Sequence, residues 1–174
     1  MYLVSIYFDE KTNQRIRSMI KQVAEKSGNT FMIDGNVPPH ITVSAFETLD
    51  ERAAVDALEH AVKEMRCGEL QWASVGQFFP YVIYTAPVLN EYLHDMSVKV
   101  YDSLNSQGGV KMSPYYKPFH WLPHTTIGKK LSKEEMKIAF EVLQNSFGMF
   151  SGQVVKIGVA KTNPYREVVN WKLM

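Results

Sequence analysis

From Tyr2 to Phe8 the chain runs in a short alternating segment rich in Tyr, Val and Ile, which predicts a strand. The apolar period then lengthens to helical spacing at Ile16, Met19, Ile20 and Val23. That spacing predicts a helix capped by Asp9 and running to about Ser27, where Gly28-Asn29 stops it. The segment from Asp34 to Pro39 is turn-forming, and a strand from Ile41 to Phe46 follows. A second helix starts at Asp50, with Ala54, Val55, Leu58, Ala61, Val62 and Met65 on its apolar face and Gly68 as its end. Leu70 to Phe79 and Tyr81 to Ala86 read as strands broken at Pro80, and Leu89 to Leu104 as a third helix closed by Gly108-Gly109. Met112 to Pro123 holds three prolines and the aromatics Tyr115, Tyr116, Phe119 and Trp121, a structured loop rather than a regular element. His124 to Lys129 is again a strand. Ser132 to Glu135 forms a capping box for a helix reaching about Asn145. Strands over 150–162 and 166–173, joined at Asn163-Pro164, complete the pattern.

Both halves therefore read strand, helix, strand opening on Pro-His-x-Thr, helix, strand. This order predicts an α+β protein with two similar lobes related by a pseudo-two-fold axis, which brings the two motif strands face to face. With 174 residues the chain suffices for one domain over 1–174, its lobes meeting near residues 80–110. The net charge of +1 gives no global drive toward duplex nucleic acid, which takes many phosphate contacts. A small or single-stranded anion held by a few local cations is compatible with it. The single cysteine, Cys67, excludes an internal disulfide and a cysteine-rich zinc site. The opening residues lack a signal-peptide pattern and no apolar run is long enough to span a bilayer, so a soluble, cytoplasmic protein is expected.

The chemistry concentrates in a repeated tripeptide. His40-Ile41-Thr42 and His124-Thr125-Thr126 each follow a proline, Pro39 and Pro123, and each precedes an apolar residue, Val43 and Ile127. On a strand, His and Thr two places apart point to the same face. A histidine gives or takes a proton near neutral pH, and a pair divides the work. A neutral imidazole removes a proton from the attacking hydroxyl, and an imidazolium protonates the leaving oxygen. Thr42 and Thr126 are placed to donate hydrogen bonds to non-bridging phosphate oxygens. This scheme uses no metal and no cofactor, and neither motif has a carboxylate or second histidine at ligand spacing.

The segments Pro39-His40-Ile41-Thr42-Val43 and Pro123-His124-Thr125-Thr126-Ile127 resemble the paired signature of the two-histidine (2H) phosphoesterase superfamily, which includes 2′-5′ RNA ligase-like proteins and cyclic phosphodiesterases. The resemblance covers essentially the whole chain. It implies a bilobal fold with a cleft between two antiparallel sheets and helices packed outside. It further implies metal-independent chemistry on 2′,3′-cyclic or 2′-5′ phosphodiesters, with His40 and His124 catalytic and Thr42 and Thr126 anchoring phosphate. Which histidine acts as base is left open at this point.

Around these four residues, several others are candidates for binding substrate. Tyr115, Tyr116 and Trp121 lie just before the second histidine, where an aromatic can stack on a nucleobase, although such residues also fill space between lobes. Lys117 is a candidate phosphate contact. Strict alternation puts Lys130 rather than Lys129 on the face of His124 and Thr126, and Ser44 on that of His40 and Thr42, with Tyr7 close by. Arg166, His60 and His94 read as surface residues. The expected partners are RNA ends, cyclic nucleotides or oligonucleotides, with no membrane, and a monomer is expected. A 3′-5′ RNA exonuclease, a 2′-5′ RNA ligase and a non-catalytic RNA- or nucleotide-binding module are the competing functions.

Overall fold

A computed structural model describes residues 1–174. Eight strands alternate with five helices: β1 (Tyr2–Phe8), α1 (Glu10–Ser27), α2 (Phe31–Asp34), β2 (His40–Glu47), α3 (Glu51–Val62), β3 (Gly68–Phe78), β4 (Val82–Pro87), α4 (Glu91–Asn105), β5 (Lys111–Met112), β6 (Thr125–Lys129), α5 (Lys133–Ser146), β7 (Phe150–Lys161) and β8 (Arg166–Lys172). The helix starts follow their caps. Asp9 Oδ1 accepts from the Thr12 amide at 2.8 Å, and Asn90 Oδ1 from the Leu93 amide at 3.0 Å. The expected capping box at Ser132 and Glu135 is formed in both directions.

Two boundaries differ from the sequence pattern. α3 stops at Val62, and Gly68 does not cap it but opens β3. A glycine is needed there because a Cβ would run into the Tyr92 ring. The proline-rich loop also contains regular pieces, the edge strand β5 and a 3₁₀ turn at Pro114–Tyr116. β5 pairs with Phe46 and Glu47 at the end of β2, and the Ser113 amide continues the pairing to the Ala45 carbonyl at 2.8 Å.

All strand pairs are antiparallel, in the order β5-β2-β1-β7-β3-β4-β6, with β8 on β7. The α+β class and antiparallel pairing are as expected, but the strands form one connected sheet rather than two. The long strand β7 makes the connection. Its first residues, Phe150 to Val154, pair with Trp72 to Gly68 of β3, while Lys156 to Lys161 pair with β1 and β8. The sheet folds so that β2 and β6, far apart along this order, come together. The Trp121 indole donates to the Thr42 carbonyl at 3.1 Å and ties the aromatic loop across that junction. Behind the sheet, 32 buried residues form one apolar cluster, and the middle residues of both tripeptides face it. Ile41 is fully buried, and the Thr125 hydroxyl accepts from the Trp72 indole at 3.2 Å.

On the opposite face of β1 and β7, Gly158 pairs with Ser5 and Asn170. The Asn170 carboxamide occupies the space a Gly158 side chain would take, and the Val169 carbonyl oxygen would lie 2.8 Å from a Cβ there. Backbone cannot move aside as a side-chain tip can. Gly158→Ala is therefore expected to destabilise the fold by about 1–3 kcal/mol, the usual range for overpacking. An unchanged midpoint in urea unfolding would contradict this tight fit.

Candidate active site

His40 opens β2 and His124 directly precedes β6, so both imidazoles stand where the two strands meet. Their settings match in detail. His40 Nδ1 is 2.8 Å from the Pro38 carbonyl oxygen, and His124 Nδ1 is 2.9 Å from the Leu122 carbonyl oxygen. A carbonyl only accepts, so each Nδ1 carries the hydrogen and each Nε2 is left free to exchange a proton. Burial pushes both imidazoles below their ordinary pKa, with the Pro38 and Leu122 hydrogen bonds working in the opposite sense. For His40 the nearby positive charges of His124 and Lys129 lower it further.

Thr42 is buried and its hydroxyl lies 3.4 Å from that of Ser5. Thr126 is half-buried and pairs with Tyr84. The structure thus brings together the four residues of the paired motif. Immediately after each threonine the strand is bulged. Ser5 pairs with Thr42 but Val4 with Ser44, leaving Val43 as the extra residue. Tyr84 pairs with Thr126 but Ile83 with Gly128, leaving Ile127 extra. Directly paired residues share a face, so each bulge reverses the alternation beyond it.

Two expectations are corrected by these bulges. Ser44 turns to the side of Val4, where it is fully buried with its hydroxyl unpartnered, and does not line the cleft. Lys129, paired with Val82, shares the face of Thr126, whereas Lys130 lies past the strand end with φ of 57°. The Lys130 ammonium rests over the Phe31 ring at 4.6 Å, and its carbonyl accepts from the Asn29 carboxamide.

The aromatic loop divides its residues. Trp121 and Tyr116 are half-buried, and the Tyr116 phenol lies beside the Thr42 hydroxyl, with burial raising its pKa more than that contact lowers it. Tyr115 is exposed at the rim. Together with Phe78, His120 and His124 these three line a recess of about 390 Å³, a size suited to a small ligand. Phe119 leaves the group and packs on His94, with ring centres 4.2 Å apart. Lys117 is exposed.

Two neighbours of His124 come from strands outside the motif, and one charge acts on His40 from the end of β6. Phe78 presents an edge-to-face contact to His124 at 4.8 Å, and Tyr84 packs on the same imidazole at 5.4 Å. Lys129 acts on His40 through its charge. Tyr84 has alternation as its only sequence signal, and the strand it packs against becomes visible only through pairing. The expected neighbour Tyr7 is present, its ring centre 6.1 Å from that of His40. No group of three or more His, Cys, Asp or Glu side chains converges on a metal position. No helix is long and apolar enough to cross a membrane.

Residues 8–165 match the model of the 2′-5′ RNA ligase superfamily. Among solved structures, TT0787 of Thermus thermophilus superposes with a TM-score of 0.64 at 12% identity, over 99% of this chain and 97% of that one. Escherichia coli LigT complexed with 3′-AMP gives a TM-score of 0.59 at 12% identity, with the same coverage of each chain. A further structure, described as a phosphoesterase, has a TM-score of 0.59, also at 12% identity and with 99% and 97% covered. At these identities the likeness is one of fold. No curated protein matches the sequence.

Proposed function

Because the chain belongs to the 2′-5′ RNA ligase superfamily of two-histidine phosphoesterases, we propose that it is a metal-independent phosphodiesterase acting on 2′,3′-cyclic phosphate or 2′-5′ phosphodiester bonds of RNA ends or nucleotides. The observation that carries this reading is the matched pinning of His40 and His124, each holding a hydrogen on Nδ1 and leaving Nε2 free. Structural support for a nucleotide ligand comes from LigT, which has been captured with 3′-AMP. The whole chain works as one unit, a monomer in the cytoplasm, with the halves carrying β2 and β6 forming a single cleft.

In hydrolysis of a cyclic phosphate, neutral His40 takes a proton from water as its oxygen bonds to phosphorus. Protonated His124 gives its proton to the departing ribose oxygen as that P–O bond breaks. The charges of His124 and Lys129 favour His40 as the neutral partner, while the rings of Phe78 and Tyr84 pack the imidazole of His124. Thr42 and Thr126 donate from their hydroxyls to the non-bridging oxygens, where negative charge grows. Run in reverse, with a ribose hydroxyl as nucleophile, the same groups exchange roles and join ends.

The test is product analysis. The protein is incubated with the four nucleoside 2′,3′-cyclic phosphates and a short 2′-5′ oligoadenylate, and products are resolved by chromatography. A 2′- or 3′-phosphate, or a cleaved 2′-5′ dimer, supports the proposal; release of nucleotides from a longer RNA alone favours the exonuclease. Absence of turnover, with tight binding kept in His40→Ala and His124→Ala, points to a binding module.

The pH profile follows from the two imidazoles. The acidic limb of kcat/KM reports protonation of the base and the alkaline limb deprotonation of the acid in the free enzyme. Burial lowers both pKa values from the ordinary 6.5, so both limbs move toward acid. A bell with its maximum below pH 6.5 is expected. A maximum on the alkaline side of neutral would contradict the assignment.

A further inference from the structure

His40 is one end of a row that crosses four strands and ends on Lys172 of β8, the direct partner of Lys156. Tyr7 of β1 pairs directly with His40, and Lys156 of β7 pairs directly with Tyr7, so all three side chains project from one face. The Lys156 ammonium lies 4.6 Å from the centre of the Tyr7 ring, which is itself 6.1 Å from that of His40. The neighbouring row on this face is also polar. It holds Thr42, Ser5 and, beyond Gly158, Asn170.

Lys156 is half-buried and forms none of the molecule's ion pairs. Burial, then a hydrogen bond with Tyr165 and last the charge of Glu167 raise the pKa of the Tyr7 phenol, and Glu167 makes no ion pair with this lysine. An ammonium held against an aromatic face, without a counter-ion, is a ready partner for an anion. The Tyr7 ring stands between this lysine and His40, which sets the lysine back from a phosphate held between the two histidines. The opposite end of the cleft has different chemistry. Beyond His124 lies the aromatic recess lined by Phe78, Tyr115, Tyr116 and Trp121. A nucleoside links these two ends, since its base leaves the ribose at C1′ and its 5′ oxygen at the other side of the ring.

We infer that the substrate carries a second phosphate on the 5′ side of the reacting nucleoside, and that Lys156 over Tyr7 is the subsite that receives it. The inference rests on the phosphodiester reading above and narrows it. The preferred class is a 5′-phosphorylated or internally linked RNA end, rather than a bare nucleoside 2′,3′-cyclic phosphate. The base sits in the recess beyond His124, and the reacting phosphate sits between the histidines.

Binding and turnover test this separately. Calorimetry compares adenosine 3′,5′-bisphosphate with adenosine 3′-monophosphate on the full chain. The bisphosphate is expected to bind about 10–100-fold more tightly, the range of a hydrogen bond to a charged group. Lys156→Ala removes that preference and leaves the monophosphate affinity unchanged, while Lys156→Arg keeps most of it. In turnover, Lys156→Ala lowers kcat/KM only for the 5′-phosphorylated cyclic substrate. Equal affinity of the two ligands for the wild type overturns the inference, as does equal weakening of both in Lys156→Ala or binding of neither. A Lys156-dependent preference without turnover of any cyclic or 2′-5′ substrate keeps the subsite and refutes the catalytic proposal.

Discussion

Replacing either His40 or His124 with alanine is expected to lower kcat on a 2′,3′-cyclic or 2′-5′ substrate by about 10²–10⁴-fold, the usual contribution of a positioned acid or base. Each imidazole is half-buried at the meeting of β2 and β6, outside the 32-residue apolar cluster. Its removal therefore leaves the fold in place, and far-UV circular dichroism of the variants should overlay that of the wild type. In the proposed mechanism the two histidines act as a unit, so the double variant should lose little more than the worse single one. Steady-state kinetics of the three variants measure this. A single variant keeping wild-type kcat would remove its histidine from the mechanism.

Thr42→Val and Thr126→Val are expected to have the next largest effect, each lowering kcat by about 10²–10³-fold, as for loss of one donor to a developing oxyanion. The change keeps the branched shape while removing the hydroxyl. Thr42 is buried and its hydroxyl is shared with Ser5, so Thr42→Val also leaves the Ser5 hydroxyl without that neighbour. Thr42→Ser and Thr126→Ser should restore most of the rate. If both valine variants raised KM while leaving kcat unchanged, the threonines would bind phosphate equally in ground and transition states.

The paired motif was legible because it depends on alternation alone, and alternation holds from His40 to Thr42 and from His124 to Thr126. It fails one residue later in both copies. The bulges at Val43 and Ile127 arise from pairing with β1 and β4, which no local pattern records. They remove Ser44 from the cleft and put Lys129 where strict alternation puts Lys130. Phe78 and Tyr84 carry no local signal for a related reason, since they reach His124 from strands distant in sequence. The connected sheet was hidden in β7, which looks like one strand but divides its partners between β3 and the β1–β8 pair. Helix starts were clearer. Asp9 and Ser132 act through backbone groups three residues away, a distance the sequence itself spells out.

The proposed cleavage of a phosphodiester by His40 and His124 together needs no metal. Its most direct test is single-turnover cleavage of the preferred cyclic or 2′-5′ substrate in excess EDTA by the wild type, His40→Ala and His124→Ala. Turnover unchanged by EDTA in the wild type and abolished in both variants is the predicted result. Turnover that needs an added divalent ion, or that survives loss of either histidine, would contradict it.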